Sequence, residues 1–148
     1  MELILWRHAE AHDGWPDAER KLTAKGKRQA KRVAKWLRKR LPKDVRIVAS
    51  PAVRTQRTAR ELSRRFETVA SVGLSARADG LLKAAGWPGA DDATVLVVGH
   101  QPTLGEAAAL ALTGRIAPWS LQKGALIWIK SSSDGDVTLI AAITPDLA

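Results

Sequence analysis

Three short apolar runs constrain this chain more than any other feature. Residues 2–6, 45–49 and 94–98 are rich in Leu, Ile and Val with little polar alternation, the pattern of strands covered on both faces. Helical patterns lie between them. Thr23 is placed to cap a helix in which Ala30, Val33, Leu37 and Leu41 recur at three- and four-residue spacing, with Lys and Arg on the other faces. Gly26 lies on the same stripe, where a neighbouring backbone can approach closely. Pro42 is expected to end that helix, and Ser50 and Pro51 to open a second one with Val53, Ala59, Leu62 and Phe66 on its buried side. Residues 7–20 read as a loop or a short broken helix, residues 68–72 as a weak strand and residues 81–85 as a short helix. A further helix runs from Thr103 to about Leu112. Residues 125–129 and 137–143 read as two strands joined across 131–135, a hairpin. Strands and helices thus alternate and close on a hairpin. The expected fold class is α/β, a three-layer α/β/α sandwich with a mostly parallel central sheet and an antiparallel edge hairpin. With 148 residues and no repeat or linker, residues 1–148 are expected to form one domain.

Composition removes several classes of function. There is no cysteine, which excludes a disulfide framework and a cysteine-ligated metal. The opening apolar run is too short for a signal segment or a membrane span, so the cytoplasm is expected and a membrane is not. The net charge is +9, and it is uneven: residues 20–65 hold 18 of the 24 Lys and Arg against Asp44 and Glu61. Such a basic half suits nucleic acid, an acidic protein face or a phosphorylated substrate, although a solvated helix surface accounts for most of these side chains. The six tryptophans are read mainly as core, with Trp6 behind the candidate site and Trp15 and Trp87 in loops at its edge.

Ligands of open parallel sheets collect at the carboxyl ends of the strands. Arg7 and His8 follow the first strand; Ser50, Pro51, Arg54 and Arg57 follow the second; Gly99 and His100 follow the central one. Each residue alone means little, but two histidines and at least two arginines converge on one edge. Guanidinium forks match phosphate oxygens, a neutral imidazole can attack phosphorus, and a second histidine can donate to charge building on the equatorial oxygens. Two histidines with Glu10 or Asp13 could instead hold a metal, but the adjacent arginines would repel a cation. No metal and no cofactor is expected.

Four segments carry a resemblance. Arg7-His8-Ala9-Glu10 resembles the Arg-His-Gly signature of the histidine phosphatase (phosphoglycerate mutase-like) superfamily. Residues 50–59, Ser-Pro-Ala-Val-Arg-Thr-Gln-Arg-Thr-Ala, are similar to its second block. Val97-Val98-Gly99-His100 is similar to its third, and Leu22-Thr23 with Gly26, Gln29 and Ala30 to the start of its first helix. The blocks stand in family order over nearly the whole chain. The resemblance implies His8 as nucleophile, Arg7 and Arg54 on the phosphoryl group, and His100 completing the pocket. It is nearest to the SixA-type phosphohistidine phosphatases, through Arg20-Lys21-Leu22-Thr23, which implies that Arg20 also reaches the phosphate. Two departures matter. Ala9 replaces the usual glycine and crowds the backbone. Larger members protonate the leaving group with an acid from the stretch that here holds Glu61, Glu67, Asp79, Asp91 and Asp92; Asp79 is nearest the expected place.

The resulting expectation is a metal-independent phosphatase working through a phosphohistidine intermediate. Its expected partner is a signalling protein phosphorylated on histidine, with inorganic phosphate as product and the enzyme a monomer. The segment at 71–92 is too short for a lid domain. A small phosphoester or metabolite is the alternative substrate. A basic binding module with a vestigial site is the alternative from another class, although Trp36 is the one aromatic in the basic helix and nucleic acid is not an expected partner.

Overall fold

The computed structural model describes residues 1–89 and 92–148; of the acids considered above, Asp91 lies outside the described residues. The chain runs β1 (Glu2–Arg7), α1 (Ala24–Arg38), β2 (Arg46–Ala49), α2 (Val53–Leu62), β3 (Glu67–Thr68), α3 (Ala78–Ala85), β4 (Thr94–Gly99), α4 (Thr103–Thr113), β5 (Leu126–Ser131) and β6 (Val137–Ile143). Among the described residues, six strands form one sheet in the order β3-β2-β4-β1-β5-β6. The pairs among β1, β2, β3 and β4 are parallel, and β5 and β6 add antiparallel pairs at one edge. The fold is the expected α/β class.

The apolar runs are explained by what covers each face. Along β1, Leu3 and Leu5 belong to a core shared with α3 and α4, including Leu81, Leu82 and Leu104. Ile4 and Trp6 point the opposite way, into a core with Val33, Ala34 and Leu37 of α1 and Ala59 of α2. A strand with period two and helices on both sides has no face left for polar residues. Each such side chain contributes about 1.5–3 kcal/mol when fully buried.

α1 begins as expected. Thr23 Oγ1 accepts the Gly26 N–H at 2.9 Å, and a Cβ at Gly26 would stand 1.9 Å from the Glu10 carbonyl oxygen. Glycine there lets the helix lie directly on the loop that follows β1. Several boundaries differ from expectation; α3 begins three residues early, at Ala78, and β5 runs on to Ser131. α1 closes at Arg38, ahead of Pro42, because the Arg40 and Leu41 N–H groups both turn back to the Leu37 carbonyl. α2 starts at Val53 rather than at Pro51. The Ser50 carbonyl is taken by the Thr55 hydroxyl and the Gln56 side-chain amide, and Ala52 stays extended as the cap. Residues 68–72 are only partly strand: β3 is two residues long and is followed by a 3-10 turn, Ala70–Val72. The buried side of α2 is also more polar than its apolar residues suggested. It consists of Arg54, Thr55, Thr58 and Ala59, with Val53, Leu62 and Phe66 only half-buried. No helix among the described residues is long and apolar enough to cross a membrane.

Candidate active site

Sheet register brings the candidate residues into one row. Arg7 pairs with Gly99 and Ala49 with Val98, so β1, β2 and β4 end side by side. The ladder runs one step further: the His8 N–H donates to the Gly99 carbonyl and the Ser50 N–H to the Val98 carbonyl, each at 3.1 Å. His8, Ser50 and His100 therefore leave neighbouring strands at the same level. The His8 and His100 rings lie 5.3 Å apart, centroid to centroid, and both are buried.

Hydrogen bonds define the state of His8. Its Nδ1 is 2.8 Å from the Ala9 carbonyl oxygen, which can only accept, so Nδ1 carries the proton. Its Nε2 accepts from Arg54 Nε at 3.2 Å, so Nε2 is unprotonated and its lone pair faces Arg54. Burial pushes the His8 pKa down to about 3, assisted by His100, Arg54 and Arg7 and opposed by the Ala9 carbonyl. Burial and the Arg54 charge likewise bring His100 down to about 4. Both rings are neutral at neutral pH, the form in which an imidazole is a nucleophile.

Arg54 is the organising cation. It is 4% exposed, and besides His8 it holds Asp17, through the carbonyl oxygen at 2.7 Å and the carboxylate at 3.0 Å. The other carboxylate oxygen of Asp17 accepts from Arg20 at 2.9 Å. Arg20 and then Arg54 hold the Asp17 carboxyl below its ordinary value. Arg20 itself is engaged by Asp17, the His12 carbonyl and, at 3.8 Å, Asp13. It joins the cluster through Asp17 rather than through His8 or His100.

Two buried side-chain nitrogens in the described residues lack a hydrogen-bond partner, and both belong to this cluster: Arg7 Nε and His100 Nδ1. Arg7 is otherwise tied to the Leu121 carbonyl at 2.6 Å, and His100 Nε2 meets Ser50 Oγ at 2.8 Å. Unpaired buried polar nitrogens are costly and rare. The Arg7 Nε donor, and His100 Nδ1 when its proton is there and Nε2 accepts from Ser50 Oγ, stand beside a neutral histidine and a second guanidinium as a cradle suited to an anion with several oxygens.

The remaining candidates fall elsewhere. Asp79 is exposed in the first turn of α3 and pairs with Arg77 at 3.6 Å; among the described residues it has no hydrogen bond or ion pair to the cluster. Glu10 accepts from Thr23 Oγ1 and pairs with Lys25, while Asp13 is fully exposed. Neither carboxylate turns toward the histidines, and the described residues contain no group of three His, Asp or Glu placed to hold a metal ion. Trp6 is buried, its indole N–H on the Gly124 carbonyl, whereas Trp15 is 91% exposed. Ala9 is accommodated, its methyl packed with Leu22 and Ala30.

Sequence reasoning missed two contributors. Asp17 links Arg20 to Arg54. Thr58 accepts the Ala9 N–H at 3.1 Å and donates to the Arg54 carbonyl at 2.8 Å, tying the loop that carries His8 to α2. Thr58 was visible as the threonine of the second block. Asp17 had no signal beyond its position three residues before Arg20.

The depressed histidines make stability depend on pH. The unfolded chain takes up protons on His8 and His100 near 6.5, while the folded chain resists until about 3 and about 4. Between these limits the unfolded state binds more protons, so stability is full above pH 6.5 and is lost as pH falls. Urea midpoints for wild type are expected to drop steadily from pH 7 to pH 4.5, and His8→Ala should flatten that slope. An unchanged slope in the variant would show that His8 is not buried neutral.

A family model described as the histidine phosphatase superfamily (branch 1) matches residues 3–77. The chain belongs to the histidine phosphatase superfamily. An uncharacterized protein of Picosynechococcus sp. is 32% identical over 145 residues, covering 90% of this chain and 87% of its own. Among solved structures, the protein histidine phosphatase SixA complexed with tungstate superposes with a TM-score of 0.84 at 24% identity, covering 99% of this chain and 98% of that one. A protein from Nakamurella multipartitia, provisionally described as a phosphohistidine phosphatase SixA, is 26% identical, with a TM-score of 0.81 and coverage of 97% and 95%. The superfamily fold also extends to a phosphoserine phosphatase of Entamoeba histolytica, at 16% identity and a TM-score of 0.72, with coverage of 97% and 96%. In this superfamily chain, the motif segments read from sequence converge on the buried cluster at His8.

Proposed function

We propose that this phosphatase passes the phosphoryl group through His8 and that its substrate is phosphohistidine on a signalling protein in the cytoplasm. The observation that carries the reading is the cradle around a neutral His8, with Nε2 unprotonated and the buried Arg7 Nε and His100 Nδ1 unpaired. On substrate binding the Arg54 Nε–H passes from His8 Nε2 to a phosphoryl oxygen, and the freed lone pair forms a bond to phosphorus as the substrate's phosphorus–nitrogen bond breaks. The bonding pair leaves with the substrate imidazole, which takes up a proton. Arg7, Arg54 and His100 hold the oxygens through the transfer. Water then attacks phosphorus, the bond to Nε2 breaks, and inorganic phosphate leaves. Nδ1 keeps its proton throughout, and the Ala9 carbonyl steadies the positive ring of the intermediate. No step requires a metal. The fold relative carrying tungstate, a tetrahedral oxyanion, supports this reading.

The substrate preference rests on the acid. Asp17, the carboxyl group in contact with Arg54, is held ionised by Arg20 and Arg54 and is a poor proton donor. Asp79 faces Arg77. A leaving imidazole nitrogen is protonated readily from solvent, whereas an alkoxide leaving group needs a positioned acid. The test is kcat/KM on a histidine-phosphorylated protein against phosphoserine peptide and 3-phosphoglycerate, without added metal. Clear preference for the phosphoramidate is expected; equal or better turnover of the esters would move the assignment to a small-ester phosphatase.

Asp17 is a positioning residue in this scheme. Asp17→Asn removes the charge that aligns Arg54 and Arg20 while preserving shape. A fall in kcat of about 10- to 100-fold is expected, the scale of a misplaced contact in a reacting site. Unchanged kcat would show that Arg54 orients itself without Asp17.

A further inference from the structure

A cleft of about 450 Å³ lies beside the active site, lined by Lys25, Arg28, Gln29 and Arg32 of α1 and by Gln122 and Lys123 of the segment before β5; Asp146 is its one carboxylate. We propose that this cleft docks an acidic protein surface next to the phosphorylated side chain, an inference that rests on the protein-substrate reading above.

Both walls are tied to the nucleophile. Gln29 Oε1 accepts the Glu10 N–H at 2.9 Å, and Lys25 Nζ lies 3.8 Å from the Glu10 carboxylate, two residues beyond His8. On the other side, the Leu121 carbonyl accepts from Arg7, and the Gly124 N–H donates to the His8 carbonyl at 3.0 Å. Gln122 and Lys123 lie between those two anchors. Gly124 holds φ +77°, and a Cβ there would meet Pro145 at 2.9 Å, so glycine lets this segment turn closely along the cleft. A protein presenting its modified histidine to His8 brings adjoining surface over these cations.

Charge selects the partner. Arg28 and Lys123 have no ion pair among the described residues, Arg32 reaches only the Ala148 carbonyl oxygen at 3.2 Å, and Lys25 is half-satisfied by Glu10. Four cations on exposed, adaptable stems line the cleft, and two of them, Arg28 and Lys123, have no anionic partner among the described residues. That arrangement suits carboxylates on a protein surface, with an effect on encounter and KM. No aromatic residue lines the cleft, so stacking with nucleic-acid bases has no platform there.

The test uses anisotropy of a fluorescein-labelled Glu-Ala repeat peptide, a Gln-Ala control and an oligo(dT) of equal charge. Wild type is expected to bind the acidic peptide in preference to both others, and R28E/K123E to lose about tenfold or more in affinity. On a histidine-phosphorylated protein with an acidic surface, the double variant should raise KM about tenfold with kcat unchanged. Turnover of free phosphoramidate should not change. The milder R28Q/K123Q pair should give the same ordering if charge reversal disturbs folding. Peptide binding that is lost in the variant, in a protein inactive on phosphohistidine, would support the cleft and remove the substrate reading. Three outcomes would overturn the docking proposal whatever the substrate: no peptide binding, tighter binding of oligo(dT), or an equal loss on free phosphoramidate.

Discussion

His8→Ala is expected to abolish phosphate release, lowering single-turnover rates on the order of 10⁴-fold or more, the scale seen when a covalent nucleophile is removed. The loss should fall on chemistry and not on binding. Arg7, Arg54 and His100 remain after the substitution, so inorganic phosphate or tungstate should still bind the variant. Wild type quenched in alkali during turnover should carry one acid-labile phosphoryl group, and the variant none. The geometry makes the effect specific: Nδ1 is committed to the Ala9 carbonyl, leaving Nε2 as the sole nitrogen able to attack. Removing His8 leaves Arg54 Nε without its ring acceptor, so near-UV circular dichroism is needed to show that the fold persists. Residual activity within tenfold of wild type, in a folded variant, would sink the covalent mechanism.

Arg54→Ala should cost about 10²–10³-fold in kcat/KM, the range for loss of one fixed donor to developing charge. It acts in three places together. The phosphoryl group loses a guanidinium, His8 loses the contact that orients its Nε2, and Asp17 loses one of two cations. Arg54→Lys should recover only a small part, because an ammonium restores the charge without the fork that reaches His8 and Asp17 simultaneously. Because the Arg54 charge helps to depress both histidines, its loss should raise their pKa values, visible as upward shifts in the NMR titrations of the His8 and His100 rings. Lysine restoring full activity, or unmoved ring titrations, would contradict this account.

The parallel sheet was legible because its strands are short and apolar on both faces, and nothing but a sheet with helices on both sides uses such runs well. The row of His8, Ser50 and His100 followed from the same logic, since parallel strands deliver their next residues to one edge. α1 was readable from its stripe, cap and glycine. Its end was less so: a proline bounds a helix without saying how much earlier the carbonyls are taken by a tighter turn. The start of α2 failed for a related reason, as Thr55 and Gln56 capture the Ser50 carbonyl through side chains that carry no helical periodicity. The buried side of α2 misled because its polar residues, Arg54 and Thr58, are buried for the site and not for the core.

Local pattern by itself determined the α/β class, the carboxyl ends of β1, β2 and β4 to within a residue, and the residue types able to handle a phosphoryl group. Tertiary structure alone decided the tautomer of His8, the neutrality of both rings, the Asp17 bridge between Arg20 and Arg54, and the neighbourhood of the basic cleft. These depend on groups distant in sequence meeting in a desolvated space. There an acceptor such as the Ala9 carbonyl, or a charge such as Arg54, sets protonation and orientation that no spacing along the chain encodes.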